Sequence, residues 1–104
     1  MLLLALSACS TSKISEPRAH VEDLSYRLLP GDARILSGRF INDSEKTIDV
    51  AQIDVSLFDS DNRRISSMMV LIQNVGPGEA QEFREAVTTK LDVQGARVRS
   101  ILIP

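Results

Sequence analysis

Few residues in this chain have the types and spacing that chemistry demands. His20 is the only histidine and Cys9 the only cysteine among 104 residues. Nucleophilic hydrolysis by a Ser–His or Cys–His pair needs an imidazole beside the nucleophile. His20 stands in a polar stretch around Pro17, where it reads as a solvated linker residue. Asp59-Ser60-Asp61-Asn62 begins like a calcium loop, but such a loop wants a glycine at position six and a glutamate at position twelve. Arg64 and Val70 occupy those positions, so a hairpin turn explains the run better. Asp49 with Asp54, and Glu82 with Glu85, are the nearest paired carboxylates. Neither pair lies in the apolar context that raises a carboxyl pKa for acid catalysis. Gly76-Pro77-Gly78 lacks the Lys-Ser/Thr and the helix of a phosphate loop. The sequence therefore predicts no catalytic residues, no metal site and no cofactor.

The elements that carry these residues begin with an apolar run, Met1-Leu2-Leu3-Leu4-Ala5-Leu6-Ser7-Ala8-Cys9. Its end, Leu6-Ser7-Ala8-Cys9, resembles the lipobox that closes a bacterial lipoprotein signal peptide. The run is far shorter than the ~20 residues that span a bilayer, and no Lys or Arg precedes Lys13. A secretory signal normally carries a basic segment, so Met1 is expected to lie inside a longer signal. The resemblance implies cleavage before Cys9 and acylation of its thiol and new amino terminus. Two or three acyl chains hold a protein stably on a membrane, whereas one does so only marginally. Ser10, rather than Asp, follows the cysteine. By the rule of that family, this implies the outer membrane, facing the periplasm, or the cell membrane in a single-membrane organism. With its thiol committed to lipid, the domain has no disulfide and must stand on its core.

Twelve basic and fourteen acidic residues leave a net charge of −2. Such a balance lacks the basic footprint of a nucleic-acid binder. Residues 1–8 read as a truncated signal and 9–22 as the lipidated cysteine with a flexible tether. Residues 23–104 read as one all-β domain, because turn residues recur at short intervals. Pro30-Gly31-Asp32, Asn42-Asp43-Ser44-Glu45, Asp59-Ser60-Asp61-Asn62, Gly76-Pro77-Gly78 and Gln94-Gly95 separate six apolar segments. Leu24–Leu29 puts Leu24, Tyr26 and Leu28 on one face. Arg34–Ile41 puts Leu36, Gly38 and Phe40 on one face. In Thr47–Phe58, Ile53, Val55 and Leu57 alternate with polar residues, while Ile48 and Val50 have the opposite parity. A bulge near Ala51-Gln52 would reconcile them. Ala80–Val87 carries Phe83 among charges. Arg97–Ile103 puts Val98, Ser100 and Leu102 on one face, and 88–94 reads as a loop.

Ile65–Gln73 is apolar at both parities, unusual for a sandwich strand with one wet face. Met68, Val70 and Ile72 form the candidate interaction face there. Either a protein partner or hydrophobic ligand meets it, or the first strand, the 88–94 loop or the tether covers it.

The run Leu36-Ser37-Gly38-Arg39-Phe40-Ile41-Asn42-Asp43-Ser44 is followed by Val55-Ser56-Leu57-Phe58-Asp59, Val75-Gly76-Pro77-Gly78-Glu79 and Phe83. In that order they resemble the FxLYD domain of bacterial envelope proteins over about residues 34–102. The resemblance implies a small immunoglobulin-like antiparallel β-sandwich of about six or seven strands. Phe58 stands where that family favours Tyr, and Asn62-Arg63 where it favours Gly. A strand ending in aromatic-Asp, with a closing Arg97-Val98-Arg99, is also similar to the YcfL-type lipoproteins, so both homes stay open. Neither implies a known reaction. The expected function is a lipid-anchored, non-catalytic protein-binding or structural module of the envelope. The alternatives are a small ligand carrier or enzyme with a pocket between its sheets, or an accessory subunit of an envelope complex.

Overall fold

The computed structural model describes residues 18–104. The expected signal 1–8, Cys9 and most of the expected tether lie outside the described residues. Six strands follow one another among those described: β1 (Ala19–Leu28), β2 (Arg34–Asn42), β3 (Ile48–Phe58), β4 (Arg64–Val75), β5 (Ala80–Ala86) and β6 (Gly95–Leu102). They pair antiparallel into two three-stranded sheets, ordered β1-β2-β5 and β4-β3-β6. The β1–β2 and β3–β4 hairpins stay within a sheet, and the other connections cross between sheets. This is the strand order of an immunoglobulin-like β-sandwich, and the fold is that expected from the sequence.

Local chemistry sets the turns. Between β3 and β4, Asn62 takes a left-handed φ of 63° and its amide donates to the Asp59 carbonyl at 3.0 Å. Asparagine tolerates that conformation where glycine would be the default. Between β4 and β5, Pro77 and Gly78 (φ 71°) occupy the two centres of a type II turn closed by Glu79 N donating to Gly76 O at 3.0 Å.

Period-two alternation sets the core. Leu36 and Phe40 from β2, Ile53, Val55 and Leu57 from β3, and Val70 and Ile72 from β4 are fully buried between the sheets. Each such side chain contributes roughly 1.5–3 kcal/mol of transfer free energy. Gly38 is open because Phe83, opposite it on β5, lays its ring there. A Cβ at Gly38 would stand 2.7 Å from Phe83 Cζ.

Four expectations are corrected. Residues 19–22, expected in the tether, belong to β1, which starts at Ala19 and pairs from Ala19↔Asn42 to Glu22↔Arg39. Asp23 (φ 55°) lies at a register shift between Glu22 and Ser25. Ala19 and Val21 face inward before it, and Leu24 and Tyr26 after it. That change of parity hides the strand from a simple alternation test. Leu28, expected inward, is exposed at the strand end.

No register shift occurs near Ala51-Gln52 either. The β3–β4 ladder runs in register from Ile48↔Val75 to Leu57↔Ser66. Instead both strands turn over together. Ile48 with Val75, and Ala51 with Ile72, point inward, while Asp49-Val50 and Gln73-Asn74 lie outside between them. Asn74 supplies the left-handed residue (φ 57°). The bulge lies in β6, where the pairing shifts between Asp54 and Val55, leaving Arg99 unpaired. Val98, Ile101 and Ile103 therefore pack against the core together, and Ser100 and Leu102, expected on the face of Val98, lie outside.

Candidate interaction face

The outward side chains of β4-β3-β6 stand in rows across the sheet. One row is Leu71–Gln52–Leu102, the next Met69–Asp54–Ser100, and Gln73 pairs with Val50 on the other flank. Adjacent strands lie ~4.8 Å apart, so these groups form one surface. Leu71 is 58% exposed, Met69 57%, Leu102 55% and Val50 36%. At its centre Asp54 accepts Ser100 Oγ at 3.2 Å and Gln52 Nε2 at 3.4 Å. The polar core of the patch is thus internally bonded, with apolar side chains around it. Exposed apolar residues scattered singly need no explanation, but several grouped on one sheet face mark a contact surface.

The parity differs from the expected one. Val70 and Ile72 face the core, each 1% exposed, opposite Ile53 and Ala51. Met68, opposite Val55, is half-buried against the core. The expected face Met68, Val70 and Ile72 is therefore the inner one, and Met69 and Leu71 are outside. No local signal carries this: the Asp59 hairpin pairs Phe58 with Arg64, and a register shift that skips Ile65 then sets Leu57 opposite Ser66, Val55 opposite Met68 and Ile53 opposite Val70.

The outer face of β1-β2-β5 is of another kind. Its rows read His20–Ile41–Ala80, Glu22–Arg39–Glu82, Ser25–Ser37–Arg84 and Arg27–Ile35–Ala86. Arg39 Nη1 stands 4.0 Å from Glu22 and 3.9 Å from Asp23. His20, expected in the tether, sits on β1. Its Nδ1 is 2.5 Å from Asp43 Oδ2 and its Nε2 is 2.8 Å from Glu22 Oε2. Hydrogen bonding first to Asp43 and then to Glu22 raises its pKa above the ordinary 6.5.

The two ends of the sandwich are closed differently. At one, fully buried Asn42 shares its two Nδ2 hydrogens among the carbonyls of Lys46 (2.8 Å), Val75 (3.0 Å) and Gly76 (3.1 Å). Its Oδ1 accepts Ser44 N at 2.9 Å and Ser44 Oγ at 2.7 Å. The expected local turn bonds are present, and the amide also reaches the β4–β5 turn. At the other end Val93 plugs the core and Arg34 Nη1 donates to the carbonyls of Leu91 and Thr89. Tyr26 lines a small depression there, its hydroxyl buried with no partner among the described residues.

The acidic run 59–62 is committed to its own turn. Asp59 Oδ1 accepts Asp61 N at 2.9 Å and Arg63 N at 3.0 Å, and Oδ2 accepts Arg63 Nε at 3.2 Å. These bonds, led by that from the Arg63 amide, hold its pKa below the usual carboxylate value. Phe58, which stands where the resemblance favours Tyr, carries the Arg97 guanidinium 4.0 Å above its ring. Arg97 Nη2 also donates to Asn62 Oδ1 at 2.7 Å, which couples β6 to the hairpin. Asp49, Glu82 and Glu85 are all exposed. Among the described residues no three His, Cys, Asp or Glu side chains are placed to hold a metal ion.

No family model matches the chain, and no curated protein matches it. Among solved structures it is similar to IrmA from Escherichia coli, with a TM-score of 0.63 over 83% of this chain and 76% of that one. The two share 11% of their residues, so the likeness shows the fold alone.

Proposed function

We propose that this chain is a lipid-anchored module of the bacterial cell envelope, held through acylated Cys9 and binding a protein partner with the outer face of β4-β3-β6. It performs no catalysis of its own. The observation that carries the binding half is the grouping of Met69, Leu71, Leu102 and Val50 on one solvent-facing sheet surface. A β-sandwich normally turns its polar side chains outward there, and an apolar exception is a surface kept for contact. Support for the anchoring half comes from Leu6-Ser7-Ala8-Cys9 and its resemblance to a lipobox. The FxLYD and YcfL resemblances belong to the same envelope setting. The finer part of the reading, an outer-membrane position facing the periplasm, rests on Ser10 after the cysteine.

Two measurements test it. Mass spectrometry of the N-terminal peptide from fractionated envelopes should find an acylated Cys9 at the start of the chain, in the outer-membrane fraction. An unmodified Met1 in the soluble fraction overturns the anchor. For the face, site-specific photocrosslinkers at Leu71 and at Ser37 compare the two outer surfaces in cells. A discrete crosslinked protein at Leu71 only, abolished by Met69→Ser with Leu102→Ser while the melting temperature holds, supports the binding reading. Equal labelling at both positions rules it out.

A further inference from the structure

His20 touches a carboxylate with each ring nitrogen, Asp43 through Nδ1 at 2.5 Å and Glu22 through Nε2 at 2.8 Å. A neutral imidazole has one N–H and one lone pair, so it can serve only one of them. The imidazolium has two N–H groups and serves both. The geometry is therefore that of the protonated ring.

What this ring holds together is specific. Asp43 lies in the β2–β3 connection, next to buried Asn42, and its amide donates to the Arg18 carbonyl at 2.8 Å. It is a fixed point of the domain. Ala19–Glu22 is the part of β1 before the left-handed Asp23, where the pairing with β2 shifts register. Those four residues contribute only two half-buried apolar side chains, Ala19 and Val21, to the core. Short strand ends with little buried area occupy the low end of the local stability range.

We propose that His20 is a proton-controlled latch on the entry strand. As imidazolium it bridges Asp43 and Glu22 and docks Ala19–Glu22 on β2. On deprotonation one carboxylate faces a lone pair, the four residues are released, and the chain leading into the domain lengthens by about 13 Å. Exposed ion pairs are individually weak. Two of them decide the state of this segment because it is so short.

The surrounding charges reinforce this assignment. Arg39 of β2 reaches Glu22 and Asp23 only at 4.0 and 3.9 Å, and Glu82 of β5 flanks Arg39 on its far side. Arg18 lies beside Asp43 in a depression whose other lining is apolar: Ala19, Ile101 near the end of β6 and Ile103 just beyond it. Asp43 and then Glu22 raise the His20 pKa above 6.5. A raised folded-state value means that docking is fully supported below about 6.5 and lost as the pH rises through that raised value. The latch operates whether or not Cys9 carries lipid.

Amide hydrogen exchange on the full 104-residue chain in detergent micelles tests it, followed by NMR alongside the His20 ring titration from about pH 5.5 to about pH 8.5. After correction for intrinsic exchange, protection at Ala19–Glu22 should be lost with the midpoint of the ring titration, while β3 amides stay protected. In His20→Gln, protection there should be low and independent of pH. Asp43→Asn should move both midpoints down together. Constant protection of Ala19–Glu22 across the wild-type titration overturns the latch, as does the same pH-dependent loss in His20→Gln.

Discussion

The two sheets present opposite outer faces to their surroundings. On β1-β2-β5, two central rows of arginines, carboxylates and serines lie between rows that hold Ile41 with Ala80 and Ile35 with Ala86, and Arg39 reaches across to Glu22 of β1. On β4-β3-β6, Met69, Leu71 and Leu102 surround the internally bonded Asp54. Both sheets obey the same alternation, and both bury the same kind of apolar residue on the inside. The difference lies wholly in residues that the core does not use. One face is made to stay in water; the other leaves apolar area uncovered, and folding does not require it to do so.

The largest effect is expected where the two sheets are held back to back. Asn42 joins two connections that cross between them, and Asn42→Ala would remove the side-chain partner of the Val75 and Gly76 carbonyls and of the Ser44 amide, while Ser44 Oγ keeps the Lys46 carbonyl at 3.1 Å. The expected cost is about 4 kcal/mol, because each buried group left unpaired costs ~1–3 kcal/mol. Denaturant unfolding measures it, and a loss below about 1 kcal/mol would show that Asn42 does not tie the two sheets together.

Neighbouring residues on β4 sharpen the comparison directly. Ile72→Ala should cost about 3 kcal/mol, as a cavity in the core does. Equal effects of Ile72→Ala and Leu71→Ala in thermal unfolding would mean that the inner and outer parities are assigned wrongly. A smaller loss is expected at Gly38, on the inner side of the charged sheet. Gly38→Ala drives a methyl against Phe83 and should cost about 2 kcal/mol, the scale of overpacking. The double variant Gly38→Ala with Phe83→Leu should recover part of that loss in the same assay. The smallest effect belongs to the outward Leu71→Ala, which should stay within about 0.5 kcal/mol.

Much of the fold was legible along the chain because its signals are local. Ile53, Val55 and Leu57 alternate with polar residues, and all three are inside. Asp59 to Asn62 and Pro77-Gly78 carry their turn chemistry in adjacent residues, and they turn as expected. The candidate face was legible only in part. Residues 65–73 are recognisably apolar on both sides, yet of the expected face Met68, Val70 and Ile72, the last two are core. Alternation shows that two faces differ; it does not say which is inside when both are apolar.

Most of the strands and the turns between them follow from local signals, since backbone preference and period-two patterning act within a few residues. Only the tertiary structure decided the parity of β4, through its pairing with β3. It also brought the distant Val75 and Gly76 carbonyls to Asn42, and it docked Ala19–Glu22 as a strand with His20 between two carboxylates. Each of these depends on groups remote in the chain meeting in space, and no local pattern encodes such a meeting.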